Sequence, residues 1–488
     1  MATQIKDASP EPEAAQKLRA MHIENQQNLS GLSPEDAEFL QNYPEEKKKR
    51  VIRKVDIRLI PMLLFLYLIT YLDKTNIGNA KIEGLLESLN MTGEQYNIAL
   101  SIFFIPYILA EVPSNMILNK FTRPSIYMGM IVLSWGIIMT LTGIVKNFGG
   151  LCAVRVMLGL FEAGFFPGAI LLVSKWYLPD ETQTRIALLY SSAASGGAFS
   201  GLLAFAIAKM DGIGGMEGWR WIFILEGLLT VVMGVRYLEV RQVARRISNT
   251  KEYREKHFDV SAFWSVVADW KMYLLILGSW SNACDEVHNA HHRQKHGLHL
   301  SQGSAPDHPP YICGAVSAWV VAVFADKYKW RMPFIVGPQL CVVVSFAVLF
   351  AKAAAIQSNI GLCYFAVCLA CAGMYPIFPG VNAWNVANSA GAAKRAIAIG
   401  YLICAGNIGG VVGSYIYQER EAPRYPTGYG NSLAFASAGI VAMLVLEFCL
   451  WSSNQRNARL TDEDVRARYT DDQLEKLGDR SPLYKYSL

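Results

Sequence analysis

Apolar residues come in long blocks along this chain, separated by short polar or charged punctuation, and most blocks have the length of a membrane crossing. A helix needs about 20 apolar residues to cross a bilayer core, because every backbone N–H and C=O there must be satisfied within the chain. Such blocks fall near 57–77, 97–118, 125–145, 149–174, 186–208 and 221–235, then near 309–325, 333–352, 358–379, 397–417 and 431–451. A truncated block, 272–283, precedes the second group. The pattern predicts an all-α polytopic membrane protein.

The charges between the blocks orient them, since cytoplasmic loops are rich in Lys and Arg. Lys47, Lys48, Lys49, Arg50, Arg53 and Lys54 precede the first block and place the N-terminus inside, whereas Glu83, Glu87 and Glu94 mark the next loop as outside. Lys120 and Arg123, Lys175 and Arg185, the basic stretch 236–258, Lys327, Lys329 and Arg331, and Lys394 and Arg395 then mark inside loops. An even number of crossings must separate 236–258 from 327–331, so the truncated block has to belong to a crossing. Twelve spans with both termini cytoplasmic is the consistent reading. It divides the chain into a tail (1–55), a first six-helix half (56–235), a connector (236–270), a second half (271–452) and a C-terminal tail (453–488).

The halves share punctuation. Phe166-Pro167-Gly168 is followed by Arg185 and then Gly196-Gly197, while Phe378-Pro379-Gly380 is followed by Lys394-Arg395 and then Gly409-Gly410. Each half also carries a short basic loop after its second span, 119–124 and 326–331. Parallel repeats of six spans put a substrate path at their interface and work by rocking one half on the other. The matching order predicts a secondary transporter of two pseudo-symmetric halves.

Composition agrees: 52% of residues are apolar and 17% charged, against about 25% charged in soluble domains. The net charge of +5 is modest and gives no nucleic-acid reading. The nine cysteines lie mostly within apolar blocks, so no disulfide framework is expected; Cys368 and Cys371, one turn apart on an apolar helix, read as packing residues. The polar N-terminus carries no signal-peptide pattern. No nucleophile, metal cluster or phosphate loop lies outside the spans, so neither an enzyme nor a cofactor is expected.

Several stretches resemble the major facilitator superfamily, specifically the fungal anion:cation symporters of the allantoate-permease group. They are Tyr71-Leu-Asp73-Lys74-Thr-Asn76-Ile-Gly78-Asn79-Ala80, Glu111-Val-Pro113-Ser114-Asn115 and Arg155-Val-Met-Leu-Gly159-Leu-Phe-Glu162-Ala-Gly164-Phe-Phe-Pro167-Gly168, with Gly218-Trp219-Arg220-Trp221 and Asn388-Ser-Ala-Gly391-Ala-Ala-Lys394-Arg395. The resemblance covers about 50–234 and again from about 309 onward. It implies import of a small organic anion (a ureide, nicotinate or another vitamin carboxylate) together with protons, by a monomer most naturally placed in the plasma membrane. One departure is Lys74, where the family carries Arg after the aspartate. Lysine keeps the charge but loses the planar two-point grip on a carboxylate.

Charges inside a membrane are costly and therefore pair or line a water-filled path. Asp73, Lys74, Glu111, Arg155, Glu162 and Glu226 lie within or at the ends of spans. Arg155 and Glu162 are two helical turns apart and share a face. Asp73 and Glu162 are the candidate proton-coupling residues, Lys74 and Arg155 the candidates to hold a substrate carboxylate. The structural alternative is that Arg155 pairs with a carboxylate only to tie helices together. Asn382, Trp384 and Asn385 on span ten are the polar candidates of the second half, with helix packing as the alternative. The motif around Glu111 reads as a loop-locking device, and Asn90-Met-Thr92 is a glycosylation sequon in an outside loop.

Residues 284–308 break the pattern. Six of the eight histidines (His288, His291, His292, His296, His299 and His308) sit where a seventh span should finish. A metal-binding loop, a hydrophilic outside loop and a shifted reading frame are the candidate explanations. The frame shift is favoured, because His codons become Thr or Ile codons when moved by one base and the shifted reading restores an apolar half-span. The apolar run of span six also stops early, at Val235, before Arg236, Glu239 and Arg241. Helices six and seven are therefore expected to be shortened or disrupted, and a non-transporting protein, either a nutrient sensor or an inactive gene product, is the alternative to a carrier.

Overall fold

The computed structural model describes residues 44–121, 124–244, 260–280, 308–352, 359–416, 421, 426–460, 462–470, 473–474 and 477–488. Its long helices follow the predicted order. Span one is Glu45–Ile82, span two Gly93–Lys120, span three Pro124–Thr142, span five Pro179–Ala208 and span six Gly218–Ala244. Span eight is His308–Tyr328, span nine Pro333–Lys352, span ten Ile360–Ala387, span eleven Ala392–Ile416 and span twelve Pro426–Asn457. Span four is two helices, Phe148–Glu162 and Phe165–Trp176. Nine of these spans are long and apolar enough to cross a bilayer, and spans five and eleven match them in length with charged first turns (Asp180 and Glu181; Lys394 and Arg395). The protein is an all-α integral membrane protein. Its exterior is apolar at Leu109 (70% exposed), Phe365 (63%) and Phe448 (66%), as a surface solvated by lipid tails requires.

Local chemistry explains the boundaries. Span two starts on a capping box: Thr92 Oγ1 accepts the N–H of Gln95, and Gln95 Oε1 accepts the N–H of Thr92. Asn147 caps span four through the N–H of Gly150 at 2.8 Å. The break in span four follows from Pro167, which has no N–H to return to the carbonyl of Ala163 four residues back. Gly164 occupies that break because a Cβ there would meet Ser114 Oγ of span two and lie 3.0 Å from Ile131 of span three. Spans three and six press together in the same way, a Cβ on Gly136 falling 2.8 Å from the backbone nitrogen of Val231.

Span six is a correction to the sequence reading. The apolar span ends where the sequence places it, at Gly218–Arg236, but the helix is not shortened with it and continues to Ala244. The connector also contains a helix, Val260–Val267. Span seven is described only over 270–280, where Met272, Leu275, Ile276 and Ser279 are buried. The rest of that crossing, with every residue of the histidine-rich segment except His308, lies outside the described residues.

The chain forms two compact units. One comprises Val55–Cys449 with Ser487–Leu488 and contains the transmembrane core. The other takes in residues up to Lys54 and Leu450–Tyr486; within it, the Asn454 amide accepts the N–H of Tyr486 and donates to the carbonyl of Tyr486, both at 2.9 Å.

Candidate functional site

The first half carries a cluster of buried charge on spans one, two, four and six, with span three contributing a neutral donor, Trp135. Asp73 and Lys74 are neighbours on span one. Asp73 is fully buried and accepts the Trp135 indole N–H of span three at 2.7 Å, while its second oxygen has no hydrogen-bond partner. Lys74 turns the other way. Its Nζ lies 3.4 Å from Glu162 of span four, 3.2 Å from the Tyr107 hydroxyl of span two and 4.4 Å from the centre of the Tyr107 ring. Glu162 is fully buried at the end of the first half of span four and has no hydrogen-bonding donor on either oxygen beyond this ion pair. The Lys74 side chain is 33% exposed, so the pair has one sealed member and one accessible member.

Arg155 is buried near the ring of Phe103, within electrostatic reach of both Glu162 and Asp73, and its Nε has no partner. The proximity expected of Arg155 and Glu162 on one helix is present, Arg155 acting electrostatically on Glu162. On span six, Glu226 is buried and its Oε2 lies 2.5 Å from the Asn76 amide of span one. On span two, Glu111 is buried and accepts the Asn407 amide of span eleven at 2.7 Å. Sequence reasoning missed Asn76, Tyr107, Trp135 and Asn407. Asn76 stood inside a quoted motif; the others were single polar or aromatic residues in apolar runs.

On span ten the second half buries amides rather than charges. Asn382 donates to the Phe378 carbonyl at 2.9 Å and leaves its own oxygen unpaired, and Asn385 accepts the Ser389 hydroxyl at 3.2 Å and leaves its nitrogen unpaired. Trp384 is placed differently. It is fully buried, and its indole donates to the Ser487 carbonyl at 2.8 Å, beside Asn388, which holds the N–H and C=O of the same residue.

The halves meet through the repeated motif. Phe166 and Phe378 stack with ring centres 5.7 Å apart, and Tyr190 packs on Phe378 at 5.1 Å. At the end that carries the basic loops the contacts are ionic. Asp326 accepts the backbone N–H and the hydroxyl of Thr184 at 2.8 and 2.5 Å, capping the first turn of span five across the interface. The buried Arg331 joins Asp326, Gln183 and the Pro179 carbonyl, each at 2.7 Å, and Lys329 pairs with Asp180. These bonds tie the second half to the start of span five, and they are switchable because every one is polar.

A family model described as the Major Facilitator Superfamily matches residues 63–414. The chain is 33% identical over 472 residues to the MFS-type transporter cnsO of Penicillium expansum, covering 90% of this chain and 91% of that protein. It is 29% identical over 466 residues to the high-affinity nicotinic acid transporter of Saccharomyces cerevisiae, covering 90% and 85%. Among solved structures, a bacterial homologue of the iron transporter ferroportin aligns with a TM-score of 0.58 at 13% identity, over 80% of this chain and 99% of that one. The transporter FucP aligns with a TM-score of 0.57 at 11% identity, with the same coverage.

Proposed function

The chain belongs to the major facilitator superfamily, a family of transporters rather than enzymes, and from that membership we propose that it imports a small organic anion together with protons. The observation that carries this reading is the Lys74–Glu162 pair: a sealed carboxylate matched to a cation that is one-third exposed. A substrate carboxylate reaching Lys74 competes with Glu162 for the same ammonium. Glu162, losing its cation in a buried site, then takes up a proton, because an unpaired buried carboxylate is far costlier than a neutral acid. Anion and proton enter together, and neither is favoured alone. Asp73 is the second proton-coupling residue, held by Trp135 alongside, and Arg155 supplies the second positive charge toward the substrate.

In this reading Asn382 and Asn385 meet the neutral part of the substrate through their unpaired amide atoms, and Trp384 supports that wall from behind, its one donor being engaged by Ser487. Substrates of the allantoate, nicotinate or vitamin-carboxylate kind fit one accessible ammonium flanked by aromatic Tyr107, and the relationship to a nicotinic acid transporter favours nicotinate as the first probe. The protein acts as a monomer in the plasma membrane, with both termini and the basic loops cytoplasmic, and 56–235 and 271–452 form the rocking halves. Uptake of labelled nicotinate and of a panel of small organic anions by cells expressing the full chain, at acidic and neutral outside pH, tests the proposal. Uptake is expected to be faster in acid, and Glu162→Gln is expected to abolish gradient-driven uptake while retaining exchange. Full uptake by that variant removes Glu162 from the coupling role. Absence of uptake across the panel supports the non-transporting alternative.

A further inference from the structure

Four carboxyl groups of the first half are buried within electrostatic reach of one another or of the same cations: Asp73, Glu111, Glu162 and Glu226. Among the described residues, Lys74 and Arg155 are the cations that act on them. A low-dielectric interior does not hold two unmatched negative charges, so protons must make up the difference. Lys74 is committed to Glu162 at 3.4 Å, and Arg155 acts on Glu162 and Asp73. Glu226 has no cation: among the described residues it forms no ion pair, and its one polar side-chain contact is a neutral amide.

The Asn76 amide N–H donates to Glu226 Oε2, while Glu226 Oε1 and the Asn76 oxygen are buried with no hydrogen-bond partner. A buried carboxyl with one neutral donor and no cation is held more cheaply as the neutral acid than as the anion. We propose that Glu226 is a proton-binding site of this carrier, closed by Asn76 and acting on transport through its neighbour Asp73. The inference rests on the proton-coupled reading above and adds to Glu162 and Asp73 a third seat for protons, on span six.

The surroundings bear this out element by element. Span one faces Glu226 with Asp73 and Asn76. Span three packs along span six and offers Tyr127 as its one ionisable group, engaged with Ser114. Of the ionisable groups of span five, Asp180, Glu181 and Arg185 lie in its first two turns, with Arg185 taken by Asp56, and Tyr190 packs on Phe378. On span six itself, Arg220 is bound to Glu217 and to the carbonyls of Gly143 and Val145. Glu226 is thus a positioning residue. When it gives up its O–H proton to water, the carboxylate left behind accepts the Asn76 N–H, and its charge lies next to Asp73. The two carboxyls then do not ionise together.

Infrared spectroscopy of the purified full chain in lipid nanodiscs, titrated with pH, reads this directly through the protonated-carboxyl C=O stretch. The wild type is expected to lose that signal in more than one step, and Glu226→Gln is expected to lack one step and to displace another. A monodisperse Glu226→Gln protein with the wild-type titration overturns the proposal. Should that variant not fold, Asn76→Ser keeps the carboxyl and removes its amide partner. A moved band supports the site, and an unmoved one overturns it. The readout uses no substrate, so the inference can fail while acid-stimulated uptake stands, and the uptake reading can fail while the titration stands.

Discussion

The two halves share a helical plan and a repeated motif, yet they bury different chemistry. The first half seals Asp73, Glu111, Arg155, Glu162 and Glu226 among its spans, with Lys74 reaching out of the cluster. Within its spans, the described part of the second half buries Gln339, Ser345, Asn382 and Asn385, all neutral. Its buried Lys271 and Arg331 lie at helix ends, where Lys271 and Lys394 share Asp269 of the connector. Charge can change with pH and amides cannot, so the proposed function places energy coupling in the first half and recognition of substrate shape in the second. The interface inherits both: Asn407 of the second half answers Glu111 of the first.

The division can be broken most severely at Lys74. Lys74→Gln removes the cation of Glu162 and the substrate's own anchor. Because a hydrogen bond to a charged group contributes about 1.5–3 kcal/mol, uptake is expected to fall by about ten- to hundredfold and its acid stimulation to disappear. Initial rates measured across outside pH check this; a pH profile of unchanged shape would place coupling elsewhere. A smaller effect is expected in the second half. Asn382→Ala and Asn385→Ala each remove one neutral hydrogen bond, about 0.5–1.5 kcal/mol, so KM should rise several-fold while the pH profile keeps its shape. A changed pH profile in either variant would dissolve the contrast between the halves.

The smallest effect lies outside the membrane spans. Glu217, just before span six, receives bonds from the Ser88 hydroxyl, the Arg220 guanidinium and the Trp219 indole. Ser88 foremost, with Arg220 and Trp219, holds its carboxyl below the usual glutamate range. A depressed folded pKa gives stability that is present above the unfolded value, about 4.3, and lost as pH falls through the folded one. Glu217 is half exposed, so Glu217→Gln is expected to cost no more than about 1 kcal/mol near neutral pH and nothing in strong acid. Thermal unfolding of the two proteins across pH would show the difference closing below that range.

Much of this architecture is legible in order along the chain. Apolar blocks placed the spans because a bilayer imposes one length on every crossing, and Phe166 and Phe378 marked the repeat because the halves carry the same Phe-Pro-Gly punctuation. The helix of span six runs past the end of its apolar run because hydropathy measures membrane preference, while helix formation continues through Arg236 and Arg241. The pairings were not legible. Asp73 meets Trp135, Asn76 meets Glu226 and Glu111 meets Asn407 across long sequence separations, and nothing local to either partner specifies the other. Trp384 shows the same limit: its place on span ten suggested a substrate contact, and its bond to Ser487 is visible only once the chain end has folded back.

The stacked rings of Phe166 and Phe378 carry a historical consequence. They occupy equivalent places in the two repeats, so in an unfused ancestor assembled as a symmetric pair this ring would have faced its own copy. A self-facing contact doubles the effect of every substitution, which forbids most changes. Fusion of the copies into one gene lifts that restriction, allowing one ring to be tuned for its neighbours on span one and the other for Tyr190 while the stack between them is kept.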